Sequence, residues 1–129
     1  MSLTQEQRAA IDATTHAAMV AALVKPGQDI IQQLTPGKAN ALHMAVGASG
    51  EAGELLDAIK RFVIYNKPLD RENVVEEMGD LEFYIEGLRA ELGICREETL
   101  TANKFKLLGK RYASGSYSDA QAIARADKA

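Results

Sequence analysis

The chain runs to 129 residues, 47% hydrophobic and 26% charged, with seven aromatics, no Trp and a net charge of −3. That length fits one domain, and the composition excludes disordered and collagen-like classes. Cys95 stands alone, which excludes an intrachain disulfide and a Cys-based zinc site. No stretch approaches the roughly 18 uninterrupted apolar residues that cross a bilayer, and the polar opening, Met1 to Arg8, lacks a signal peptide's apolar core. A cytoplasmic protein with no membrane partner is expected. Charge is unevenly spread: residues 1–102 hold 16 acids and 9 bases, and residues 103–129 hold 2 acids and 6 bases. A pI near 5.4 argues against a nucleic-acid partner, since DNA-binding domains carry a basic face over most of their length.

Apolar residues recur at spacings of three and four, with little alternation, so the expected fold is all-α. A first helix is predicted from Thr4 to Val24, stopped by Lys25-Pro26-Gly27. A short segment, Asp29 to Leu34, leads to Thr35-Pro36, an N-cap followed by the favoured first-turn proline. The second helix is predicted from Pro36 to Tyr65, with Gly47, Gly50 and Gly53 as points where it bends or breaks. After Asn66-Lys67-Pro68-Leu69, Asp70 caps a third helix to Leu92, whose Val74, Met78, Leu81, Ile85 and Leu88 form an apolar stripe. Gly93 ends it. A fourth helix spans Arg96 to Leu108, with Gly109 at its C-terminal end, and Ser118 caps a last short helix in the tail. The expectation is a four-helix-type bundle over residues 1–112, with 113–129 as a tail. Its core is mainly Ala, Leu, Ile, Val and Met, so surplus apolar surface is expected to be covered by a second copy.

Two acidic segments resemble each other: Gly50-Glu51-Ala52-Gly53-Glu54 on the second helix and Glu76-Glu77-Met78-Gly79-Asp80 on the third. In each, two carboxylates three residues apart share a helix face and repel by a few tenths of a kcal/mol. Each pair also encloses a glycine, which costs about 1 kcal/mol in a helix interior. Antiparallel packing across the 66–69 connection would bring the pairs together, where only a cation or protonation relieves them. Hard oxygen ligands select Mg²⁺, Mn²⁺ or Ca²⁺. The alternative is a solvated acidic face. A ferritin-like di-iron site is excluded, because neither His16 nor His43 follows a Glu at Glu-x-x-His spacing. His43 lies about 20° from Glu54 around the helix, so it is either a contact for a ligand of the acidic site or a structural histidine.

The basic counterpart is Asn103, Lys104, Lys106, Lys110 and Arg111, in a stretch with no acid from 99 to 118. Asn103, Lys106 and Lys110 share one face if the helix persists past Gly109. Phosphate binding is the functional reading, and favourable placement near a helix C-terminus is the alternative. Lys60 and Arg61 are weaker candidates for the same role. No Walker A or G-x-G-x-x-G sequence is present, which excludes P-loop and Rossmann modes.

The run Gly47-x-x-Gly50-Glu51-Ala52-Gly53-Glu54-Leu55-x-Asp57-x-Ile59-Lys60, followed by Glu77-x-Gly79-Asp80, resembles the all-α nucleoside triphosphate pyrophosphohydrolases of the MazG type. Asn103-x-x-Lys106-Leu107 with Lys110-Arg111-Tyr112 resembles that family's C-terminal motif. The resemblance covers residues 40–112. Arg111-Tyr112 stands one residue further from Asn103 than the family's spacing, with Gly109 available to absorb the difference, and Ala113 stands where the family commonly has Pro. The resemblance implies Mg²⁺ (or Mn²⁺) held by Glu51, Glu54, Glu77 and Asp80. It further implies hydrolysis of a nucleoside triphosphate to the monophosphate and pyrophosphate, in nucleotide-pool control or removal of non-standard nucleotides. Asn103, Lys106, Lys110, Arg111 and His43 are then the substrate-binding candidates, and a homodimer or homotetramer is the expected assembly. The alternatives are a phosphoribosyl-ATP pyrophosphohydrolase and a non-catalytic bundle that binds a nucleotide or a protein.

Overall fold

The computed structural model describes residues 2–128, and every ordered element among them is helical. The chain divides into two compact units, one ending at Thr35 and the other beginning at Pro36. The boundary therefore falls at 35/36, and the segment after 112 belongs with the second unit. No helix among the described residues is long and apolar enough to cross a membrane.

The first unit holds α1 (Gln5–Ala13), α2 (His16–Leu23) and α3 (Gly27–Gln33). The expected single helix from Thr4 to Val24 is broken in two. Thr4 opens α1 with a reciprocal capping box, its hydroxyl accepting from Gln7 N–H at 3.1 Å while its own N–H donates to the Gln7 side chain at 2.8 Å. The break comes at Thr14 and Thr15, which both adopt extended backbone. Thr14 turns its hydroxyl back to the Ala10 carbonyl at 2.9 Å, and Thr15 accepts from Ala18 N–H at 3.2 Å to start α2. Two adjacent β-branched residues with hydroxyls able to bond the local backbone compete with helix propagation. The predicted short segment before Thr35 is itself helical, as α3.

The second unit is built on α4 (Pro36–Val63) and α5 (Arg71–Leu92). The glycines at 47, 50 and 53 leave α4 unbroken over 28 residues. It closes with Asn66 in the left-handed region, φ 49°, where asparagine is tolerated, and with Lys67 N–H donating to the Arg61 carbonyl at 3.2 Å. Asp70 caps α5 as expected, accepting from Asn73 N–H at 3.1 Å, and Gly93 ends it at φ 66°.

The two helices run antiparallel in one register. Asn40 meets Glu91 at 3.3 Å, Met44 lies against Gly87, and the Tyr84 ring lies against Gly47. Each step forward on α4 is matched by a step back on α5. Continued for two turns, the same register sets Glu51 opposite Asp80, and then Glu54 opposite Glu77. Ala58, further along α4, is the one buried hydrophobic residue among those described, at 8% exposure.

After α5 come α6 (Arg96–Lys106), a π-helical turn (Leu107–Arg111), α7 (Asp119–Ala124) and a 3₁₀ turn (Ala126–Lys128). The thiol of Cys95 caps α6, accepting from Glu98 N–H at 3.4 Å. The helix expected to stop at Gly109 instead widens through it, with Tyr112 N–H bonded to the Leu107 carbonyl at 2.7 Å. Ser118 caps α7, as read from the sequence.

The glycines of α4 are not equivalent. A Cβ at Gly47 would fall on the Tyr84 ring, whereas one at Gly50 would meet open space. Gly47→Ala is expected to lower the melting temperature, because displacing the ring costs about 1–3 kcal/mol and outweighs the helix gain of about 1 kcal/mol. Gly50→Ala should raise it. Thermal denaturation of the two variants against the parent chain checks the contrast.

Candidate metal centre and basic ridge

The seam between α4 and α5 turns from apolar to acidic where the two carboxylate pairs meet. Glu51, Glu77 and Asp80 each offer a carboxylate oxygen, and these oxygens lie within 4.8 Å of one another. Glu51 and Glu77 are half-buried and Asp80 is exposed. Glu54 falls outside this trio and is exposed. It still sits near enough to Glu77 for its charge to act there.

Glu77 registers the crowding. Its carboxyl is held above the ordinary glutamate range, first by burial, then by the charges of Glu54 and Glu51, by a hydrogen bond shared with Glu51, and by Asp80. These are the effects expected where carboxylates gather without a counter-ion. Hard oxygens converging on one point fit Mg²⁺ or Mn²⁺, with Glu54 poised across from Glu77 as a further donor. Gly50, Gly53 and Gly79, beside the acids, have no side-chain neighbours within reach of a Cβ, so packing within the chain does not account for them.

The other sequence candidates are placed as follows. His43 lies two turns before Glu51 on α4, roughly 12 Å along the axis. It stands edge-on to Tyr84 with ring centroids 6.2 Å apart. Lys60 and Arg61 both pair with Asp57, at 2.7 and 2.9 Å, on the exposed side of α4. Asn103, Lys106 and Lys110 are exposed.

The π turn interrupts the α-helical path of the basic stretch. Across Leu107–Arg111 the backbone bond runs from residue i+5 to residue i, as Tyr112 N–H does to the Leu107 carbonyl at 2.7 Å. The α-helical continuation past Gly109, on which a shared face of Asn103, Lys106 and Lys110 depended, is therefore replaced by a wider turn.

Arg111 is not free. Its Nε and Nη2 donate to the two oxygens of Asp127 at 2.6 and 2.7 Å, a bidentate pair. The Asp127 side chain is closed off from solvent and that of Arg111 is 19% exposed. The guanidinium holds the Asp127 carboxyl down at about 2. The stabilisation is therefore complete above the ordinary aspartate value and is lost as pH falls through about 2. Asp127 was not singled out by sequence reasoning. Its only signal was being one of two acids in a basic C-terminal segment.

Comparison with models of known families, with curated proteins and with solved structures finds no match to this chain.

For Glu77, a raised folded-state pKa means that the fold favours the protonated form. Its contribution to stability is present below the ordinary glutamate value and is lost as pH rises through the raised one. Without divalent cation, Glu77→Gln is expected to raise the melting temperature at neutral pH and to leave it nearly unchanged in acid. Melting curves in chelator at pH 4 and pH 7 provide the check.

Proposed function

We propose that this protein is a Mg²⁺-dependent nucleoside triphosphate pyrophosphohydrolase of the MazG type, which adds water across the bond between the α and β phosphates and releases a nucleoside monophosphate and pyrophosphate. The observation that carries this reading is the α4–α5 register, which converges Glu51, Glu77 and Asp80 and sets Glu54 across from Glu77. Two i, i+3 acid pairs on a solvated face need not meet. These do.

In this reading Glu51, Glu54, Glu77 and Asp80 hold the cation. When bound, Mg²⁺ supplies positive charge against the phosphate oxygens and makes water more acidic. Lys106 and Asn103, on the ridge that leads into the π turn, supply donors for the polyphosphate, which the acidic seam repels. His43 stays a candidate contact for the nucleoside.

The same reading includes a homo-oligomer. On α4 the residues opposite the seam, Leu42, Val46 and Leu56, are exposed, the last at 68%. On α5 and α6, Phe83 and Phe105 are exposed at 65% and 72%. Apolar surface on the outer sides of a paired hairpin is what a second copy covers in completing a bundle, as a homodimer or homotetramer.

Incubating the protein with a panel of nucleoside triphosphates and phosphoribosyl-ATP, with and without Mg²⁺, should give metal-dependent pyrophosphate release. Glu51→Gln, Glu54→Gln, Glu77→Gln and Asp80→Asn are each expected to lower kcat/KM by roughly tenfold or more while helical content is kept. Lys106→Ala should cost roughly tenfold, the scale of a lost charge-assisted hydrogen bond, and Lys104→Ala little. Full activity in all four acidic variants would defeat the assignment. Light scattering should return at least twice the chain mass of 14.0 kDa.

A further inference from the structure

The basic stretch of this chain carries no acid between residues 99 and 118, yet its arginine is neutralised. The neutralising carboxylate comes from 16 residues away, at the end of the folded segment. Residues 113–128 turn back through α7 and the 3₁₀ turn to lay Asp127 on Arg111. The path is braced by Gln121, which donates to the Ser114 hydroxyl at 2.9 Å and to Ser118 at 3.0 Å. Tyr117 donates to Asp119 at 2.7 Å.

Three features make this contact more than a generic surface pair. The Asp127 side chain is closed off from solvent and that of Arg111 is 19% exposed. The guanidinium engages the carboxylate through both prongs of its fork, the geometry it also uses for phosphate. No hydrogen bond or ion pair to the Lys106 or Lys110 side chain is found among the described residues, so the tail satisfies the arginine alone.

We propose that Asp127 is an internal occupant of an oxyanion site on Arg111, and that the C-terminal segment acts as a latch which substrate phosphate displaces. The inference rests on the pyrophosphohydrolase reading for the identity of the natural anion, and its chemistry requires only a phosphate-type oxyanion. A tetrahedral anion entering the fork takes the two donors held by Asp127. Lys106, earlier in the same basic stretch, adds a second cation that the tail carboxylate does not use. Asp127, released to solvent, no longer holds the 3₁₀ turn against the π turn.

The probe is inorganic pyrophosphate, titrated calorimetrically in chelator so that the acidic centre takes no part. Asp127→Asn is expected to bind pyrophosphate at least fivefold more tightly than the parent chain. Asp12→Asn, which makes the same change in net charge at an exposed position outside the second unit, should leave affinity unchanged, and Arg111→Gln combined with Asp127→Asn should remove the gain. In the parent chain, which needs no variant to fold, saturation with pyrophosphate should speed amide exchange across residues 119–128. Unchanged or weaker binding by Asp127→Asn, an equal gain in Asp12→Asn, or exchange in the tail that ignores pyrophosphate would each overturn the latch and leave the pair as an anchor. Failure of the parent chain to hydrolyse any triphosphate would instead strike the functional reading, which these binding and exchange measurements do not depend on.

Discussion

The register of α4 against α5 is the constraint from which the rest of the second unit follows. It is established at the end of the hairpin away from the turn, where Gly47 receives the Tyr84 ring, Gly87 receives Met44, and Asn40 reaches Glu91. Small residues at these points allow close approach, and close approach fixes which residues further along must face each other. The carboxylates are met as a consequence. Glu51 and Glu77 are drawn toward the seam by the packing of their neighbours, and burial together with three nearby acids raises the proton affinity of Glu77. Packing thus holds together what electrostatics pushes apart, and in the proposed function a divalent cation reconciles the two.

The same hairpin leaves much apolar surface outside. Among the described residues only Ala58 is a buried hydrophobic, while Leu56 and Phe83 face solvent. A pair of helices can hide one stripe on each member, and α4 carries apolar residues on the face opposite its stripe as well. Stability and the proposed assembly are therefore linked in this reading. The surface that a second copy would cover lies on the back of the helices that hold the acids.

The C-terminal part obeys a different logic. There the backbone departs from α-helical geometry for one turn, at Leu107–Arg111. A π turn leaves the chain length unchanged and rotates everything after it. Arg111, the last residue of that turn, is engaged by Asp127 through both prongs of its fork, so this cation is held by the chain itself.

Several elements were legible from local sequence because their causes are local. The caps at Asp70, Gly93 and Ser118 and the length of α5 depend on residues within a turn of each other, and they are found where the sequence places them. The pairing of acids at 51/54 and 77/80 on two helix faces is likewise a matter of spacing. The division of the first helix at Thr14-Thr15 was local too, but its apolar periodicity continued across the break and masked the competing hydroxyl bonds. What tertiary structure alone decided is which of these faces meet and which charges are already taken. The α4–α5 register rests on ring-to-glycine contacts between residues 37 apart in sequence. The occupation of Arg111 rests on a carboxylate 16 residues away, brought back by the fold of the tail. Spacing along one helix determines what a face carries; only packing between segments determines what that face finds.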